Sequence, residues 1–192
     1  MPNLQYLHPN NSGSLTQILK QFPDEGFHWD KVVEMNEMDA IVINNSAELL
    51  TDLYEIENHS SYGKITQVTV LNVASCEDTN LCHITPVLRT YSTNYSEKLN
   101  IWENANEFKE FKTIYEKNPN TGQPWTWAEV DDLEIGTTLV GDKTGQASCT
   151  WVNAQIEHSI EWTGKIYGVT GSLKIYGVDV GNIIKVGNVG PT

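Results

Sequence analysis

Basic residues are scarce in this chain. Lysine and arginine together number 12 against 25 aspartates and glutamates, so the formal net charge at pH 7 is −13, and Arg89 is the single arginine among the 192 residues. Proteins bind the phosphates of nucleic acids and of anionic membranes through lysine and arginine. The charge balance therefore predicts a protein that binds neither nucleic acid nor a membrane surface.

Long apolar runs are also absent. The first residues of the chain contain neither the cationic region nor the apolar region of a secretory signal, and no uncharged stretch is long enough to span a bilayer. We therefore expect a protein without a membrane span and without a Sec signal.

Cysteine is rare as well. Cys76, Cys82 and Cys149 lack the spacing of a metal site, and their odd number argues against a complete disulfide framework. Cys76 and Cys82 are near enough in sequence to meet across a turn. Because no export signal is present, the sequence favours reduced, structural thiols.

Familiar catalytic motifs are missing. The chain has no G-x-S-x-G elbow, H-E-x-x-H helix, P-loop or G-x-G-x-x-G turn. The histidines are scattered without ligand spacing, at His8, His28, His59, His83 and His158. Acidic residues at 129, 131 and 132 suit the dipole of a helix better than a general acid or a calcium site. The sequence thus predicts a protein that is not an enzyme and that holds no metal or cofactor.

What is present favours strands joined by turns. Only 19% of the residues are charged, while six tryptophans and eight tyrosines occur, and such a composition leans towards β-structure. Residues 64–74 are β-branched and apolar on both faces, which predicts a strand buried between two layers. Residues 147–157 alternate like a half-exposed antiparallel strand. Residues 82–89 form a further candidate strand, which Pro86 assigns to an edge or a bulge. We expect an all-β antiparallel β-sandwich.

One short helix is predicted after the turn formed by residues 118–124. Thr126 and Glu129 match a capping box, in which each side chain accepts from the backbone N–H of the other residue. Gly136 supplies a stop signal for this helix. The domain organisation expected from these patterns is an extended N-terminal lead-in over residues 1–30, the β-sandwich over 31–160 and a repetitive C-terminal assembly tail over 161–192.

The tail carries an internal repeat. The pentapeptide Lys-Ile-Tyr-Gly-Val occurs at 165–169 and again at 174–178, and a degenerate third copy occupies 185–189. A unit with so few apolar side chains cannot offset its own ordering entropy of about 1 to 2 kcal/mol per residue. The tail is therefore either a flexible terminus or a segment that orders on a neighbouring subunit, and the aromatic repeat favours docking. The predicted assembly residues are Ile166, Tyr167, Val169, Ile175, Tyr176, Val178, Ile183 and Val186.

The tryptophans allow two interpretations. Trp125, Trp127 and Trp151 could form a stacking platform for sugar rings, because amphipathic aromatic residues suit wet recognition surfaces. The same side chains could instead fill the core, and the sequence favours this second interpretation. We keep the three residues as candidate carbohydrate-binding residues.

Several segments resemble a family of phage and archaeal-virus structural proteins. The resemblance covers residues 7–157 and is carried by Leu7-His-Pro-Asn-Asn-Ser-Gly, by Trp29-Asp-Lys-Val-Val-Glu34, by the strand at Ile65, and above all by Asn118-Pro-Asn-Thr-Gly-Gln-Pro-Trp-Thr-Trp-Ala-Glu-Val130. Members of that family have an N-P-x-T-G-x-x-W-T turn that leads into a short helix. The tail is similar to glycine-containing repeats at the ends of fibre and tail proteins.

This resemblance implies a jelly-roll-like sandwich displayed on a particle. The expected function is that of a non-enzymatic virion component, namely a head fibre, a capsid decoration protein or a tail-associated protein. Its expected partners are other copies of itself, in a trimer, and other virion proteins, with assembly in the host cytoplasm. The alternative is a carbohydrate-binding module that adheres to host-surface glycans.

Overall fold

The computed structural model describes residues 2–34, 40–77, 82–97, 107–141 and 145–159, together with the backbone of residues 100–101, 174–175 and 178–179. The strands in chain order are β1 Asn3–Leu7, β2 Pro9–Thr16, β3 Lys20–Phe22, β4 Ile41–Asn44, β5 Leu50–Ile56, β6 Lys64–Cys76, β7 His83–Thr90, β8 Thr93–Ser96, β9 Asn100–Ile101, β10 Lys109–Tyr115, β11 Glu134–Val140, β12 Ala147–Ser159, β13 Lys174–Ile175 and β14 Val178–Asp179. A 3-10 helix, His28–Lys31, follows β3, and the α-helix α1, Trp127–Asp131, precedes β11.

Twelve of these strands form two antiparallel six-stranded sheets. The front sheet has the strand order β10-β6-β12-β4-β3, with β1 also paired to β12. The back sheet has the order β2-β5-β11-β7-β8, with β9 also paired to β7. The predicted fold class, a jelly-roll-like antiparallel β-sandwich with one short helix, is confirmed. No helix within the described ranges is long and apolar enough to cross a membrane.

The core lies between the sheets because successive side chains of a strand point to opposite faces. Strand β6 contributes Val68, Val70 and Ala74, and β12 contributes Val152 and Ala154, all of them fully buried. Strand β12 is not half-exposed as predicted. It lies in the interior of the front sheet, with β6 on one side and β1 and β4 on the other.

The first thirty residues are not a separate lead-in. Strand β1 pairs with β12 in the front sheet, and β2 pairs with β5 in the back sheet. Leu7 and Ile18 are almost completely buried in the core. The polar composition of this segment agrees with the side chains of β1 and β2, most of which are exposed. The sandwich therefore begins close to residue 3 rather than at residue 31.

The helix begins where the sequence predicts and ends earlier. The Thr126 side chain accepts from the Glu129 N–H at 3.2 Å, and the Glu129 carboxylate accepts from the Thr126 N–H at 2.8 Å. Gly136 is not the helix stop, because it lies inside β11, opposite Leu53 of β5. A Cβ at Gly136 would come within 1.9 Å of the Asp52 carbonyl oxygen, so glycine there permits close contact between two strands.

Pro86 lies in β7, which is an inner strand of the back sheet rather than an edge. On one side Pro86 is opposite Thr137 of β11. On the other side β9 pairs with residues 83–84 and β8 pairs with residues 87–90, so Pro86 falls between the two pairings. Among the described residues, the β8 and β9 side of the strand therefore has no register partner for Pro86, and a residue without a backbone N–H is tolerated at such a gap in the pairing.

The structure joins Cys76 and Cys82 in a disulfide, with a Cα–Cα distance of 6.0 Å. This corrects the expectation of reduced thiols. Cys76 ends β6 of the front sheet and Cys82 immediately precedes β7 of the back sheet, so the bond connects the two layers at one end of the sandwich. Cys149 is free and buried.

The tail falls largely outside the described residues. Within it, Lys174 is opposite Asp179 and Ile175 is opposite Val178 in a two-stranded sheet that is separate from the front and back sheets. The predicted assembly residues at 166, 167, 169, 176, 183 and 186 lie outside the described residues, and only backbone is described at 175 and 178. The assembly role therefore stays a prediction.

Candidate functional site

A groove of about 300 Å³ crosses the outer face of the front sheet. We call it the front groove. It is lined by side chains of four neighbouring strands, β10, β6, β12 and β1, namely Tyr6, Gln67, Thr69, Leu71, Glu110, Lys112, Ile114, Trp151 and Gln155. Four strands at about 4.8 Å spacing make the groove about 14 Å wide across the sheet.

Strand register arranges the lining residues in rows across the sheet. The first row runs from Ile114 through Thr69 and Gln155 to Tyr6. Residues directly opposite each other on neighbouring strands have Cβ atoms about 4.5 to 5.5 Å apart. Each row thus places polar and apolar side chains side by side on one rigid surface.

The second and third rows continue the same outer face, and all their residues except Asn153 and Val73 line the groove. The second row contains Lys112, Leu71 and Asn153, and the third contains Glu110, Val73 and Trp151. These residues point away from the core because Val70, Asn72, Val152 and Ala154, which alternate with them along β6 and β12, face the opposite sheet.

The side chains that form the floor of the groove are buried, while those at its rim are exposed to solvent. Thr69 and Leu71 are only 3% and 4% exposed, whereas Tyr6 and Ile114 are 46% and 45% exposed. Trp151 is half-buried. An aromatic ring with one free face on a packed floor can bind the apolar face of a planar ligand at low entropic cost, because its own side chain is already held.

Polar groups surround these aromatic rings. The Gln67 amide donates to the Thr69 hydroxyl at 3.0 Å, which fixes the orientation of both side chains. Glu110 and Lys112 are exposed on the β10 wall, and the Gln155 amide lies in the row between Thr69 and Tyr6. Amides, a carboxylate and an ammonium offer donors and acceptors in the mixture that a ligand with many hydroxyl groups requires.

Asn153 stands out among the outward-facing residues. It is fully buried, and neither its Oδ1 nor its Nδ2 has a hydrogen-bond partner. A buried polar group without a partner costs about 1 to 3 kcal/mol. It lies between Trp151 and Gln155 on β12, next to the groove, but it is not one of the residues that line the groove.

The three tryptophans predicted for sugar binding occupy different environments. Trp125 is 5% exposed and its indole N–H donates to the Tyr115 carbonyl at 3.0 Å, so its ring belongs to the core and offers no free face. Trp127 stacks on His59 at 4.7 Å and contacts His158 edge-on at 5.4 Å. Only Trp151 lies at the front groove.

Of the residues that line the front groove, only Trp151 is identified from the sequence as a candidate binding residue. Tyr6 was assigned to the lead-in, and Gln67, Gln155 and Glu110 are common surface residue types that carry no motif. The period-2 alternation of β6 and β12 was the available signal, because it puts residues 67, 69 and 71 on the same face as one another. The partner strands of that face could not be read from a single sequence.

Two histidine–aspartate pairs lie elsewhere in the molecule. His28 Nδ1 is 2.5 Å from Asp52 Oδ2, and Asp52 is completely buried. His59 Nδ1 is 2.7 Å from Asp131 Oδ1 beside Trp127. Within the described ranges no group of three histidine, cysteine or acidic residues is arranged to hold a metal ion.

Burial changes the acid–base behaviour of Cys149. Desolvation raises the pKa of its thiol to about 12, and the backbone hydrogen bond to Trp151 opposes part of this shift. Burial, together with the Asp52 carboxylate, also raises the pKa of the nearby Tyr54 hydroxyl well above its usual range. Both groups are therefore neutral at physiological pH, and Cys149 does not have the thiolate character of a nucleophile.

Comparison with known proteins leaves the family open. No protein-family model matches the chain, and no curated protein matches it. Among solved structures, one described as "xylan-binding module CBM15" aligns with a TM-score of 0.44 and 9% sequence identity, over 82% of this chain and 97% of that one. At that level of similarity the assignment of function depends on the geometry of this chain alone, and the resemblance to virion proteins stays a prediction.

Proposed function

We propose that this chain is a carbohydrate-binding module whose ligand site is the front groove. The observation that carries the proposal is the combination, on one rigid sheet face, of the Trp151 and Tyr6 rings with the amides of Gln67 and Gln155. Sugars present apolar C–H faces and a dense set of hydroxyl groups, so an amphipathic aromatic ring flanked by donors and acceptors complements them on both counts.

The disulfide between Cys76 and Cys82 supports this proposal. Disulfides persist in oxidising environments such as cell surfaces and the extracellular space, and polysaccharides are abundant there. The net charge of −13 keeps the protein soluble and disfavours binding to polyanions. Both features agree with adhesion to a glycan outside the cytosol.

The test is affinity electrophoresis through gels that contain soluble xylan, mixed-linkage β-glucan, galactomannan or glycol chitin. We expect at least one polysaccharide to retard the protein. Trp151→Ala should weaken that retardation by about tenfold, equivalent to about 1.4 kcal/mol, because one aromatic contact is lost. Phe27→Ala removes another exposed ring, 63% accessible and not among the residues that line the groove, and should change nothing. Absence of retardation in every gel, or equal retardation of Trp151→Ala, contradicts the proposal.

A role in virion assembly is a second candidate, favoured by the tail. The pairing of β13 with β14, apart from both sheets of the sandwich, agrees with a terminal segment that acts as its own unit. A chain truncated after Ser159 should retain the sandwich, as measured by circular dichroism, and should lose oligomerisation in analytical ultracentrifugation. If the truncated chain forms the same oligomer as the full chain, the assembly role of the tail is wrong.

A further inference from the structure

The front groove has a neighbouring depression on the same sheet. A second depression of about 410 Å³ adjoins it on the outer face of the front sheet, towards the end that carries α1. Gln67 lines both depressions, so the two are adjacent on the sheet. The remaining lining residues of the second depression are Lys64, Ile65, Thr66, Glu116, Lys117, Pro124 and Glu157.

The register places the two depressions one after the other along β6. Glu157 of β12 is opposite Gln67 of β6, which makes this pair the next row after Thr69 and Gln155. The register then shifts between Glu157 and His158, and this irregularity leaves Thr66 without a partner in the ladder and exposed on the surface. At about 3.3 Å per residue, the stretch of β6 from Leu71 to Lys64 is about 23 Å long.

The charges along this path balance. The second depression holds two cations, Lys64 and Lys117, and two anions, Glu116 and Glu157, while the front groove holds Lys112 and Glu110. The Glu157 carboxylate is oriented by the Thr66 hydroxyl at 3.3 Å. A surface with equal numbers of both charges gives no net attraction to a charged polymer, and the strongly acidic molecule as a whole repels a polyanion.

We infer that the two depressions form one open cleft that binds the interior of an uncharged polysaccharide chain, with the second depression as an extension of the front groove. This inference rests on the proposed function of the front groove. Because the cleft is long and is formed by successive rows of the same sheet, it suits several consecutive sugar units rather than a chain end. Trp151 and Tyr6 supply stacking in the front groove, and the charged side chains of the second depression supply hydrogen bonds to hydroxyl groups.

Titration calorimetry with a ladder of oligosaccharides tests this inference. The probes are cello-, xylo-, manno- and chito-oligosaccharides from the disaccharide to the hexasaccharide, with oligogalacturonides as the anionic arm. In the neutral series that binds, we expect affinity to rise by about tenfold or more from the disaccharide to the hexasaccharide. An equal affinity for short and long ligands overturns the inference, and so does a preference for oligogalacturonides.

Matched variants separate the two parts of the cleft. Lys117→Ala, in the second depression, should weaken hexasaccharide binding by about fivefold or more and leave disaccharide binding unchanged, since the loss of one hydrogen bond at about 1 kcal/mol corresponds to that factor. Trp151→Ala should weaken both, and Lys20→Ala, an exposed lysine on β3, should affect neither. If Lys117→Ala alters neither ligand while Trp151→Ala alters both, the front groove binds glycans but the extension is wrong. If no probe binds, the proposed function fails together with the inference.

Discussion

Replacement of Asp52 should reveal how the sandwich holds its first strands. The Asp52 carboxylate is completely buried, and its Oδ1 accepts the backbone N–H groups of Gln17 at 2.7 Å and Ile18 at 2.9 Å. Its Oδ2 bonds to His28 Nδ1 at 2.5 Å. The side chain thereby ties the segment after β2 and the 3-10 helix to β5.

The expected cost follows from these contacts. Asp52→Ala leaves the Ile18 N–H, His28 and the Tyr54 hydroxyl without this acceptor, while the Gln17 N–H keeps the Thr51 carbonyl at 3.2 Å. At about 1 to 3 kcal/mol for each unpaired buried group, we expect a loss of about 3 to 5 kcal/mol in the free energy of unfolding. Asp52→Asn retains an oxygen for the two backbone donors, and its amide NH2 replaces the oxygen that faces His28 Nδ1 and the Tyr54 hydroxyl. That variant should lose about 1 to 2 kcal/mol.

Urea unfolding at neutral pH, followed by tryptophan fluorescence with the disulfide intact, measures both variants. The midpoint should fall for each, with an unchanged dependence of the free energy on urea concentration. A loss below about 1 kcal/mol for Asp52→Ala would be typical of a surface position and would refute this assignment. Equal losses for the alanine and asparagine variants would show that the backbone contacts do not contribute.

Three further changes test other parts of the fold. Thr126→Ala should cost about 1 kcal/mol in chemical unfolding because it removes the helix cap, and Thr126→Asn should restore most of it. Gly136→Ala should cost about 3 kcal/mol or prevent folding, as judged by circular dichroism, because the new Cβ would meet the Asp52 carbonyl oxygen. Native protein should show no reaction with a thiol reagent at mildly alkaline pH, because burial raises the pKa of Cys149 to about 12. Unfolding without reductant should then expose one thiol, and three thiols at this step would contradict the disulfide.

The sequence predicts those elements whose signals lie in neighbouring residues. The alternation in β6 and β12 and the capping box of Thr126 and Glu129 depend on neighbouring residues, so each could be recognised without tertiary contacts. The end of the helix was predicted too late because Gly136 fits two roles. A helix stop and a close approach between strands both require glycine, and only the contact with Asp52 shows which role applies.

The candidate site was harder to predict because it is defined by register. Tyr6 and Trp151 are distant in sequence, and they reach one surface only because β1, which carries Tyr6, pairs with β12, which carries Trp151. Composition alone could not distinguish a core tryptophan from a groove tryptophan either. Trp125 and Trp151 have the same side chain, and their roles differ because one indole is enclosed between the layers and the other lies on the outer face of the front sheet.

An isotope-edited NMR titration would test the location of glycan binding most directly. With the polysaccharide fragment that retards the protein, we expect the indole cross-peak of Trp151 and the side-chain amide cross-peaks of Gln67 and Gln155 to shift and saturate together, while the indole cross-peak of the buried Trp125 stays in place. Saturable binding with an unmoved Trp151 cross-peak, or with shifts confined to another surface, would contradict a ligand site on the outer face of the front sheet.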